Sequence, residues 1–220
     1  MRFNPTAFDT FLGGIGQRVT WRRAYSCACV NPNSGAPDPK HSLCSGKGKL
    51  WSIPVETVTG VASQTATQQW MQSGQYETGD MVLSIPQNSV MWDAAGQFDR
   101  IVMLNSNDIF SLPLKHGAPS ERLLFTVQTV SRCFWLDPTT RLIIEGGLPV
   151  IDASGNPSWP GGIGEPPPGM TYSLTGQKYD EYFVWGRYPS DRNEHSGMRL
   201  PKRLVARKWD LFNRGLGSDA

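Results

Sequence analysis

From residue 53 onward, apolar and polar side chains alternate with a period of two. This is the signature of strands with one face buried. The alternation predicts strands over 55–61, 81–85, 101–104, 123–135 and 141–144, with Gly79 and Asp80 as the turn before the second. Phe125, Val127, Cys133 and Trp135 share one parity, which places Cys133 in a core as a small apolar residue. Beyond residue 170 the pattern predicts strands over 170–174 and 177–188. In the second of these Tyr179, Glu181, Phe183 and Trp185 share one face, and Tyr182 and Val184 the other. A last strand is predicted over 203–212, with Val205, Trp209 and Leu211 on one parity. A helical period occurs only at 4–16, where Phe8, Phe11, Leu12 and Ile15 recur at i, i+3, i+4 and i+7 behind Asn4 and Pro5. It is read as a short helix or docking arm, followed by a strand over 19–25. Short strands with no helix between them predict a mainly β chain, a small β-barrel or sandwich with extended arms and loops.

The segment 27–51 breaks the alternation. It reads C-x-C, eleven residues, then H-x-x-C, and holds three of the chain's four cysteines. Cys27, Cys29, His41 and Cys44 are four soft or borderline ligands, the number a closed tetrahedral zinc site takes. The intervening NPNSGAPDP is turn-forming and can bring the two halves together. Gly46 and Gly48 leave room for backbone N–H groups to approach the thiolates. With four protein ligands no position is left for water, so the expected zinc is structural. The segments expected are therefore an N-terminal arm or helix (1–24), a zinc knuckle (25–52), a β-barrel or sandwich (53–150), a Gly/Pro-rich loop (151–170) and C-terminal strands completing or flanking the β-body (171–220). Trp159 inside the loop predicts that part of it docks on a core.

Composition sharpens this picture in three places. Gly (23) and Pro (17) make up about 18% of the 220 residues, against roughly 12% on average, so turns and loops are plentiful. The net charge of +2 and a pI of about 8.4 are too mild to imply nucleic acid on their own. No apolar run is long enough to span a membrane, and the N-terminus lacks the pattern of a signal peptide. The thiols are therefore expected to be reduced and available to a metal. One local exception is the strip Arg199, Lys202, Arg203, Arg207 and Lys208. It is either a contact for DNA or a partner, or, as favoured here, a charged edge strand protected against aggregation. Catalytic signatures are missing from the sequence: no nucleophile elbow, no HExxH, no P-loop and no dinucleotide fingerprint. His116 and His195 fall in polar loops and are expected to be solvated, and Asp191, Glu194 and His195 make at most a weak metal set. The chain is expected not to be an enzyme.

A further pattern lies in the order of features. A cysteine segment of the form S-C-x-C…G-x-P-D-P…C-x-G-x-G-x-L precedes a run GDMVLSIP…WDAAGQFDRIVM. A strand pair PPPGMTYSLTGQKYDEYFVW and an ending GMRLPKRLVARKWDLF follow. Over about residues 20–212 this resembles virion proteins of tailed bacteriophages, of the head–tail connector or neck (head-closure-like) type. The resemblance implies a structural ring of six or twelve copies in the virion, joining portal or adaptor to tail proteins and letting genomic DNA pass, with no catalytic residues. Tail-terminator and baseplate rings are alternatives within that class. A zinc-stabilised nucleic-acid-binding module is an alternative outside it.

Overall fold

The computed structural model describes residues 5–44, 46–61, 70–72, 74, 76–188, 194–195 and 197–209. Asn4, Asp191, Leu211, Phe212 and the tail 213–220 lie outside the described residues, as do the side chains of Phe8, Leu12 and His195. Helix α1 (Pro5–Ile15) leads into strands β1 (Gln17–Arg22), β2 (Ala24–Ser26), β3 (Lys49–Trp51), β4 (Val55–Val61) and β5 (Met81–Ile85). A short helix α2 (Met91–Ala94) follows. Then come β6 (Arg100–Lys115), β7 (Val127–Leu136), β8 (Ile143–Glu145), β9 (Val150–Ile151), β10 (Pro157–Ser158), β11 (Thr171–Arg187), β12 (Glu194–His195), β13 (Met198–Arg199) and β14 (Lys202–Lys208). The chain is mainly β, as its alternation predicts.

Two compact units divide these elements: residues 1–105 with 181–220, and residues 106–180. The division cuts across the 53–150 block, whose first half belongs with the C-terminal strands. In the first unit the strand order β14-β5-β4-β1-β6-β11 returns to its start, because β11 also pairs with β14. Six strands thereby close on themselves, which removes free edges. Alternate residues of these strands point inward: Val19 and Trp21, Leu83 and Ile85, Ile101 and Met103, Tyr182 and Val184, Leu204 and Ala206. Met91 and Trp92 of α2 join the same core. The opposite parity on β5 and β14, Val82 and Val205, packs under Trp70 and Tyr188. Both faces of β14 are therefore buried.

In the second unit the order is β6-β11-β7-β8. Leu174 pairs with Cys133 and Tyr172 with Trp135, and these four share a core with Phe110, Leu123 and Trp159. Cys133 is a buried core residue, and burial pushes its thiol up to about 11. Trp159 docks from the Gly/Pro loop, its Nε1–H donating to the Gly147 carbonyl at 2.8 Å. The strands predicted at 170–174 and 177–188 form one strand, β11. Gly176 between them does not mark a turn. A Cβ there would lie 2.2 Å from the Thr129 carbonyl oxygen, and the ladder shifts register at Thr175/Gly176, so the glycine admits a close strand and a bulge.

Candidate metal centre

The knuckle is assembled from its stem upward. β2 and β3 pair antiparallel, Ala24 with Trp51 and Ser26 with Lys49. The Cys27 N–H then donates to the Gly48 carbonyl at 2.9 Å, which puts Cys27 opposite the end of the H-x-x-C half. The loop between folds on itself. Asn31 Oδ1 accepts from the N–H groups of Asn33 and Ser34 at 2.8 and 3.1 Å, and the Asn31 N–H donates to Ala36, an Asx-turn. Asp38 Oδ1 accepts from the Lys40 N–H, and the Asp38 carbonyl from the His41 N–H. These turns aim His41 and Cys44 back at the first pair.

The four ligand atoms lie within 4.8 Å of one another. Cys27 Sγ is 3.6 Å and Cys44 Sγ 3.5 Å from His41 Nδ1, and Cys29 Sγ is 3.5 Å from Cys44 Sγ. Gly46 and Gly48 have φ of 72° and 67°, which glycine adopts without strain. A Cβ on Gly46 would lie 2.7 Å from the Pro39 carbonyl oxygen, and one on Gly48 2.8 Å from Pro37 Cβ. Burial raises the Cys44 thiol, but the Gly48 backbone hydrogen bond and the contacts with His41 and its fellow cysteines outweigh it and bring it to about 6. Burial leads the rise of Cys29 to about 11, and its cysteine neighbours add to it. A thiolate is thus held ready in the cluster, as a metal ligand must be. None of the hydrophobic clusters of the described residues draws on 22–44 or 46–61, and the stem meets apolar side chains through Trp51, edge-on to Trp209. The donor set fits a soft or borderline metal ion.

The basic strip is dispersed. Lys202 is buried, its Nζ donating to the Trp92 carbonyl and lying 3.7 Å from the Trp92 ring centroid. Arg207 is buried against Asp80, with Nε and Nη2 each 3.0 Å from a carboxylate oxygen. Arg199 pairs with exposed Asp93, Arg203 stacks on Tyr188, and Lys208 is half-buried. β14 is paired on both sides, with β5 and with β11, so the favoured edge-strand reading is corrected. Partners more than 100 residues away in sequence absorb Arg199, Lys202 and Arg207.

His116 also departs from expectation. Its Nδ1 is 2.9 Å from Glu121 Oε1 and its Nε2 3.1 Å from Glu165 Oε1, and its side chain is mostly buried. Tyr172 donates to the same Glu121 oxygen at 2.7 Å. The histidine ties the Gly/Pro loop to the 116–121 turn instead of facing water. Glu194 is exposed in β12, and among the described residues only Cys27, Cys29, His41 and Cys44 converge as a metal set. No described helix is long and apolar enough to cross a membrane. The sequence matches no protein-family model and no curated protein.

Proposed function

We propose that this protein is a structural virion component of a tailed bacteriophage, a neck-ring subunit of the head–tail connector type, stiffened by a zinc-held knuckle. The sequence pattern motivates the class, and one observation carries self-assembly: the apolar margin at the open end of the second unit's sheet. β8 ends the strand order, and its three residues are all exposed. Asp137 N–H donates to the Leu142 carbonyl and Gly146 N–H to the Cys133 carbonyl. By antiparallel alternation Ile143 and Glu145 turn their backbone groups away from β7. Leu142 (68% exposed), Ile143 (54%) and Ile163 (81%) belong to this unit's surface, with Leu136, Leu148 and Val150 also exposed. Among the described residues no further strand pairs with this largely apolar edge. Such an edge is a template for another chain, and the occupant proposed is a second copy of this protein.

Zinc is the metal best matched to the knuckle. Tetrahedral zinc with bonds of about 2.3 Å to sulfur and about 2.0 Å to nitrogen sets ligand–ligand edges of roughly 3.5 to 3.8 Å. Three of the six edges, at 3.5 and 3.6 Å, sit at that size, within a set whose four atoms all lie within 4.8 Å of one another. Four protein ligands favour a structural over a catalytic role. Negative-stain averages of the purified protein are expected to show closed rings. A strict monomer at every concentration, with and without portal and tail partners, contradicts the reading. The tail-terminator and baseplate alternatives differ in where such rings sit in the particle.

A further inference from the structure

The charge of the chain is unevenly placed. Residues 17–51 hold six Lys or Arg (Arg18, Arg22, Arg23, Lys40, Lys47, Lys49) but only one acid, Asp38, whereas the remainder of the chain is net acidic. Three of these cations gather on one aromatic group of the first unit. Lys47 Nζ lies 5.6 Å from the Trp209 ring centroid and Lys49 Nζ 5.0 Å from that of Phe98. Trp51 meets Trp209 edge-on at 5.2 Å and donates from Nε1 to the Phe98 carbonyl. Arg22 sits across the β1–β6 ladder from Arg100, which itself lies over Trp209 at 4.8 Å. Arg100 is held by Glu181. Burial first, and then the neighbouring Arg100 cation, lower the Arg22 guanidinium from its ordinary value against the opposing pull of Glu181.

We propose that the face formed by Arg22, Lys47 and Lys49 against Phe98, Trp51 and Trp209 binds the phosphate backbone of duplex DNA. Trp209 is buried and Trp51 is half-buried with its indole N–H engaged. No broad indole face is offered for stacking with a base, so the contact is to phosphate and indifferent to sequence. This suits a surface that DNA slides past. Genomic DNA reaches the face only if the neck reading above holds, whereas binding itself is a property of the single chain.

The test is fluorescence anisotropy of a labelled short duplex with the full chain, titrated over a range of salt. Three phosphate contacts give a slope of log K against log salt of about −3. The double substitution Lys47→Gln/Lys49→Gln is expected to reduce affinity at low salt at least tenfold and to flatten the slope by about 2. Lys115→Gln/Arg141→Gln in the second unit removes the same charge and is expected to leave binding unchanged. Metal content and thermal melting confirm that each variant is folded, and the salt slope of the unaltered chain tests the proposal without any variant. Lack of binding at low salt overturns it, as do equal losses from both pairs, or displacement of the duplex by polyglutamate at matched charge, which would mark the face as one for acidic protein. Rings without DNA binding would leave the neck reading standing and remove only this face. DNA binding without rings would do the reverse.

Discussion

The knuckle and the barrel of the first unit are built on opposite principles. The barrel is held by alternating side chains that fill its interior, Val19, Leu83, Ile85 and Ile101 among them, each fully buried. Among the described residues between 22 and 61, the buried apolar side chains are those of Cys27 and Cys44. The knuckle's loop is satisfied by its own turns, and its two halves meet at four ligand atoms. A small module without enough apolar surface needs another source of stability, and a structural metal on the four proposed ligands would supply it directly. The β2–β3 stem then passes that rigidity on through Trp51 to Phe98 and Trp209. Hydrophobic burial organises one region and ligand convergence the other, so the two should fail separately.

The largest expected effect is on the knuckle alone. Cys44→Ser removes a ligand, and since structural zinc contributes roughly 10 kcal/mol or more to small modules, the knuckle loses its fold. Hydrogen exchange should then show residues 27–48 unprotected while β5 and β14 keep their protection. Uniform protection across both regions would erase the contrast. Asp80→Ala acts on the barrel instead. It removes the carboxylate that pairs with the buried Arg207 guanidinium and accepts from the Trp70 indole N–H at 3.0 Å. Breaking a buried pair from one side costs about 3–5 kcal/mol, readable in urea unfolding, with metal content unchanged. Leu83→Ala hollows the barrel core and should cost about 2–5 kcal/mol, again with the metal retained.

The smallest effect is a pH dependence. Asp99 is buried, and burial raises its carboxyl above the ordinary value although Ala24 N–H, Gly96 N–H and the Trp21 indole all donate to it. A raised carboxyl binds its proton more tightly folded than unfolded. Its contribution to stability is therefore full below the unfolded value near 3.8 and is lost as pH rises through the folded one. Carbon-13 titration of Asp99 should show a midpoint above those of the exposed aspartates, and a midpoint at or below theirs would remove the effect.

The two regions also differed in how far the sequence disclosed them. Each ligand of the knuckle was readable, because metal chemistry fixes residue types at short spacings and local turns do the rest. Strands β4 and β5 matched their predicted limits because alternation stops at clear turn residues. β6 was legible only over 101–104. Its continuation NSNDIFSLPLK turns Ser106, Asp108, Phe110 and Leu114 inward while Ile109 is exposed, so polar residues start the inward face, an apolar one lies outside, and the alternation is hidden. The basic strip misled for a different reason. Asp80 and the Trp92 carbonyl, which absorb Arg207 and Lys202, are 127 and 110 residues away, and β14 gains its second neighbour only when β11 closes the barrel. His116 was hidden in the same way, since Glu165 reaches it from within the Gly/Pro loop.

The central claim is that a metal takes the place of a core in the knuckle. Elemental analysis of protein purified without chelator tests it most directly. About one zinc per chain is expected, and it is lost on Cys44→Ser substitution. Protein that carries no metal and still protects residues 27–48 from exchange would contradict it.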